Sequence, residues 1–216
     1  MPNTKATFKN SILVIIQERL ASISFYKKET GFSRELGKDT SGYVGLPVSS
    51  NLPKSRIGIS PVVGITFRPI EDLLKMLSGS SLFLGGVTLT EALGYLTPEK
   101  RFLQWVFDPA LPDLVAPEIA KIIRAVEEYG LPFMEEHITL NSIIAELEAK
   151  RFTVNDLRRY RLPAAYFLVG RREDALKFVE GELRELYKRT DEAATEFRHF
   201  AQAFKDFVDS RVGSSS

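Results

Sequence analysis

Residues able to do chemistry are few in this chain, and their spacing matches no established catalytic pattern. The only imidazoles are His137 and His199, and there is no cysteine. That composition rules out disulfides, zinc ribbons and a thiol nucleophile. Glu135-Glu136-His137 has the ingredients of an inverted zincin motif, but Phe133 stands where its first histidine belongs. With His199 far along the chain, no metal site is expected, and the triplet reads as a solvated helix end. Gly31 to Gly37, followed by Lys38, approximates a phosphate loop. It has five residues between its glycines instead of four, and Asp39 where Ser or Thr should meet magnesium. A turn between strands is the better reading. No serine lies in a Gly-x-Ser-x-Gly elbow, and Gly79-Ser80-Ser81 and Gly85-Gly86 lack dinucleotide spacing. No catalytic residue and no cofactor are expected.

Two charged groups remain as binding candidates. Arg158, Arg159, Arg161 and Arg172 form the densest basic cluster, suited to phosphates or an acidic partner. Nearby Glu173, Asp174 and Glu180 dilute it, and nucleic acid is not the expected partner. The second group, Glu127, Glu128, Glu135 and Glu136, brackets the turn carrying Tyr129 and Phe133. Carboxylates around aromatics suit capture of a basic protein, the charge speeding encounter and the rings anchoring it.

The elements that must position these groups fall into two halves. Residues 1–110 hold 13 Lys/Arg against 9 Asp/Glu and residues 111–216 hold 16 against 19. Neither imbalance creates the field that nucleic acid or a membrane surface would need. Phe8, Ile12, Ile15, Ile16, Leu20 and Ile23 predict a helix over about 6–23, with Leu13 and Val14 widening its stripe so that it is covered on more than one side. The apolar run Ile12–Ile16 ends at Gln17, too short for a secretory core, and no segment reaches membrane-spanning length. A cytoplasmic location is expected.

Strands are predicted around Phe25–Phe32, turning at Gly31, and at Gly42–Leu46, Arg56–Ile59, Val62–Phe67, 82–89 and 101–107. A short helix follows Pro69. Further on, Ile119–Val126 reads as a helix stopped by Gly130 and Pro132. The next helix, Leu140–Leu147, is capped by Thr139, a pair turns about Gly170, and a last helix carrying Phe197, Phe200, Phe204 and Val208 is capped by Thr190. The fold class is α+β. An antiparallel sheet over about 24–107 carries the N-terminal helix and a C-terminal helical half. A single domain over 1–212 is expected, sheet-rich to 110 and helical from 111, with two tightly docked subdomains as the alternative and 213–216 a flexible tail.

The stretch Ala164-Ala165-Tyr166-Phe167-Leu168-Val169-Gly170-Arg171-Arg172-Glu173-Asp174-Ala175-Leu176 is similar to the helix–turn–helix of tetratricopeptide repeats, which implies a closely packed helix pair over 164–187. A single copy cannot build a repeat array. In layout the chain resembles small bacterial α+β domains of unknown function, some of them immunity proteins for polymorphic or contact-dependent toxins. That resemblance implies a stoichiometric inhibitor with a protein partner and no turnover, and it assigns no residue. Against this expectation of a non-enzymatic protein-binding module stand two rivals. One is a hydrolase or transferase using Glu35, Asp39 and Arg56. The other is a structural or adaptor protein of phage or mobile-element origin.

Overall fold

The computed structural model describes residues 4–49, 51–53, 55–78, 86–152 and 155–212. Within it the chain forms helices α1 (Thr4–Ser22), α2 (Arg68–Ser78), α3 (Leu93–Leu96), α4 (Val115–Ala125), α5 (Leu131–Glu136), α6 (Leu140–Glu148), α7 (Asn155–Leu168), α8 (Arg172–Glu185) and α9 (Glu192–Val212). The strands are β1 (Tyr26–Lys28), β2 (Gly31–Glu35), β3 (Thr40–Gly45), β4 (Val48–Ser49), β5 (Ile57–Ile59), β6 (Val62–Phe67), β7 (Leu89–Ala92) and β8 (Trp105–Phe107). The fold is α+β with antiparallel sheets, as the short turns between strands imply.

The strands build two sheets, β1-β2-β3-β6-β7 and β4-β5-β8. Prolines account for the split. Pro61 has no N–H for a ladder, so the run from Ile57 to Phe67 breaks between β5 and β6 and changes sheet there. The carbonyl of Pro61 instead accepts from Leu93 N at 2.9 Å, and that of Pro47 from Ser60 N at 3.1 Å. The first hairpin turns at Glu29-Thr30, one step before Gly31, and Gly31–Lys38 lies in strand β2 and the turn that follows it, leaving no helix N-terminus to hold a phosphate. Of the strand expected at 82–89, residues 82–85 lie outside the described residues. Of that expected at 101–107, only Trp105–Phe107 pairs.

The chain divides into two compact units, residues 1–66 with 90–138 and residues 67–89 with 139–216. The division does not fall at 110/111, because α4 and α5 belong with the sheets and α2 with the later helices. In the first unit Ile12, Ile16 and Leu20 of α1 are buried, as are Ile119 and Ile122 of α4, the helix α1 packs against. Val14 is 54% exposed, so α1 is covered on one side only, contrary to the widened stripe read from the sequence.

In the second unit α2 packs on α7 and α9, and α7 on α8. The Tyr160 ring meets Phe197 at 5.4 Å and Phe200 at 4.9 Å, both edge-on, the geometry that aromatic quadrupoles favour. Gly170 holds a left-handed φ of 82° at the α7–α8 turn, which a glycine adopts without steric cost. The helix pair expected over 164–187 is therefore present. Thr139 Oγ1 accepts from Ser142 N at 3.1 Å and caps α6. The cap of α9 is Asp191, whose Oδ1 accepts from Ala194 N at 3.1 Å, and not Thr190.

Candidate functional site

Gly130 and Pro132 do not stop the helix that begins at Val115. Its turn over Val126–Gly130 widens into a π-turn, Leu131 N donating to Val126 O, and the chain runs on directly into α5. Pro132 supplies the cause. It has no N–H for the Glu128 carbonyl and its ring crowds that oxygen, so a wider turn relieves both problems. Single π-turns within helices recur at functional sites because they re-aim side chains. Here the turn brings Glu128 and Tyr129 to the wall of an open cleft of about 590 Å³.

The facing wall is the irregular segment from Thr97 into β8. Thr97 Oγ1 donates to Gly94 O at 2.9 Å, and Arg101 N donates to the same carbonyl at 3.2 Å, closing a tight loop. That loop delivers Leu103, Trp105 and Val106 to the cleft. Trp105 is the only tryptophan in the chain. Charges around it are mixed: Glu99, Glu118 and Glu128 against Lys121 and Arg124. Lys121 Nζ lies 2.6 Å from Glu118 Oε1. The nearby Thr97 hydroxyl, followed by the glutamate's own backbone N–H, holds the Glu99 carboxyl below its ordinary range. Glu99 and Glu128 thus leave a small negative excess beside two aromatic rings.

Of the expected partner-binding group, Glu128 and Tyr129 line this cleft, and Glu127, Glu135 and Glu136 are exposed near it in sequence. Phe133 is different. At 6% exposure it is a core residue of its unit and presents no ring to a partner. His137 is likewise buried, correcting its reading as part of a solvated helix end. Its Nδ1 donates to Phe133 O at 2.6 Å, while His199 is exposed. No group of three or more metal-ligating side chains occurs among the described residues.

The arginine cluster is dispersed by its partners. Arg161 is buried against Glu71 with Nε–Oε1 at 2.9 Å, whereas Arg158 and Arg159 face Glu182 at 3.8 and 3.7 Å. Burial outweighs both arginines and raises the Glu182 carboxyl above its ordinary range. Of the four, Arg172 alone is exposed, over the Phe167 ring. Among the residues proposed for a hydrolase, Arg56 Nε is held by Asp108 Oδ2 at 2.7 Å and Glu35 accepts from Tyr26 at 2.8 Å. Asp39 is exposed in the β2–β3 turn.

Compared with family models, curated proteins and solved structures, the chain matches none. The cleft's own geometry must therefore carry any assignment. Sequence reasoning missed Trp105 as a site residue because it reads equally well as an inward-facing strand residue. The available signal was its following an irregular, turn-rich stretch from Gly94 to Pro98.

Proposed function

We propose that this chain is a non-enzymatic protein-binding module, in its most concrete form a bacterial immunity or antitoxin-like protein that neutralises a toxin by direct binding. The partner segment enters the cleft with an apolar side chain against Trp105 and Tyr129, and sets a lysine or arginine beside Glu128 and Glu99. The observation that carries this reading is the meeting of Trp105 and Tyr129, delivered by separate elements, at one open cleft rimmed by carboxylates. Tryptophan and tyrosine dominate binding energy at protein interfaces, while flanking charges steer encounter.

The test is titration calorimetry of the purified chain with the product of the adjacent gene, together with a growth-protection assay against that product. A complex that protects, weakened at least about thirtyfold by Trp105→Ala, is the expected result. Absence of both complex and protection overturns the functional reading. Protection that Trp105→Ala leaves untouched removes the cleft while retaining the function.

A further inference from the structure

The first unit presents a second surface of opposite charge. Strand β1 ends the five-stranded sheet, and all three of its residues are exposed. An end strand leaves one row of backbone N–H and C=O groups without ladder partners. Beside it, α1 and the β1–β2 hairpin enclose an open cleft of about 450 Å³. Its apolar wall is formed by Leu13 and Val14 of α1 with Leu46, and Phe32 lies beneath.

Lys27 stands opposite Phe32 in the ladder and therefore shares its face of the sheet. Lys28 points to the other face, its Nζ 5.5 Å from the Tyr26 ring centroid. Neither lysine is paired with a carboxylate among the described residues. Glu29, at the start of the turn, is the cleft's one acidic residue.

We propose that this edge accepts an extended acidic segment of a partner protein. The segment adds as a strand along β1, sets carboxylates against Lys27 and Lys28, and places an aliphatic side chain in the cleft beside Val14. Main-chain hydrogen bonds supply affinity in this mode, and side-chain pockets supply selectivity. Lysines on a sheet edge normally discourage pairing between copies, because the same strand from a second molecule brings lysine against lysine. The same two charges favour an acidic strand, and they single it out over a second copy of this chain.

The experiment measures fluorescence anisotropy of a short labelled peptide repeating Glu-Glu-Val-Val, which puts both residue types on each face of an added strand, titrated with the full chain. Three comparisons accompany it: the same peptide with Lys for Glu, the acidic peptide N-methylated at every residue so that neither edge can pair, and the chain carrying Lys27→Glu with Lys28→Glu. Both lysines are exposed, so the double variant should fold, and circular dichroism checks that it does. The acidic peptide is expected to bind, and each of the three changes to weaken binding at least about tenfold. No binding, equal binding of the Lys peptide, or indifference to the double substitution overturns the proposal. Indifference to N-methylation overturns strand addition. Self-association in sedimentation, or capture by anionic phosphatidylserine vesicles without peptide binding, assigns the edge to another occupant and also overturns it. This site is independent of the Trp105 cleft, so failure here leaves the preceding reading standing.

Discussion

Arg161 Nε donates to Glu71 Oε1 at 2.9 Å, from side chains only 4% and 10% exposed, joining α7 to a helix 90 residues earlier in the chain. The fully buried Thr88 completes the network, donating to the same oxygen at 2.8 Å while accepting from Phe67 N at 2.9 Å. A buried pair contributes little beyond an apolar replacement, but removing one partner strands a charge. Arg161→Met should therefore destabilise the chain by about 3–5 kcal/mol, whereas adding Glu71→Leu should restore most of that loss. Urea unfolding of both single variants and the double variant tests this. Additive losses in the double variant would show that the two side chains do not act as a pair.

Gly94 connects stability to the proposed binding cleft. A Cβ at this buried position would overlap the carbonyl oxygen of Arg101 and come within 2.8 Å of Leu103 N. Both obstacles are backbone, so the loop that delivers Trp105 must move. Gly94→Ala is expected to cost about 1–3 kcal/mol in urea unfolding. It should also shift the emission of Trp105, the chain's only indole. A variant with unchanged stability and emission would mean that the loop is not held at Gly94.

The fold was legible wherever a residue type had one physical use. Helical spacing of Ile12, Ile16 and Leu20 or of Phe197, Phe200 and Phe204 leaves a single buried face, and these residues are indeed buried. Thr139 caps α6 through its own hydroxyl, a local interaction the sequence displays. Reading failed where the outcome depended on distant partners. Gly130 and Pro132 are stop residues by type, yet the turn widens and the helix continues. Arg158, Arg159 and Arg161 look like an anion site until Glu71 and Glu182 arrive from other helices. Glu128 and Tyr129 were legible as candidates, but their opposing wall was not, because Trp105 reaches the cleft only through tertiary folding.

Asp191 makes a pH prediction with a definite sign. Hydrogen bonds from Arg189 and from Ala194 N push its carboxyl down from 3.8 to about 2. A folded-state value below the unfolded one stabilises the fold above the unfolded pKa, and the stabilisation is lost as pH falls through the folded value. The stability lost in Asp191→Ala should thus be complete above pH about 4 and should fade toward pH 2. Thermal unfolding across that range measures it. The same loss at pH about 2 as at neutrality would leave α9 without an ionised cap.

Tyr166 makes the complementary prediction at alkaline pH. Its hydroxyl donates to Glu148 Oε1 at 2.7 Å, and the Arg171 guanidinium lies 4.2 Å from its ring centroid. Burial first, then the hydrogen bond to Glu148 and the charge of that carboxylate, push the phenol up to about 12 from 10.0. The folded state therefore keeps a proton that the unfolded state releases, so stability is full below pH about 10 and declines as pH rises toward 12. Tyr166→Phe has no proton to lose and forfeits only the hydrogen bond, a cost of about 1 kcal/mol. Wild type should be the more stable at neutral pH, and its advantage should shrink above pH about 10. Urea unfolding at stepped pH measures that difference, and phenolate absorbance locates the titration. An advantage that stays constant to pH about 12 would mean that Tyr166 ionises alike in both states.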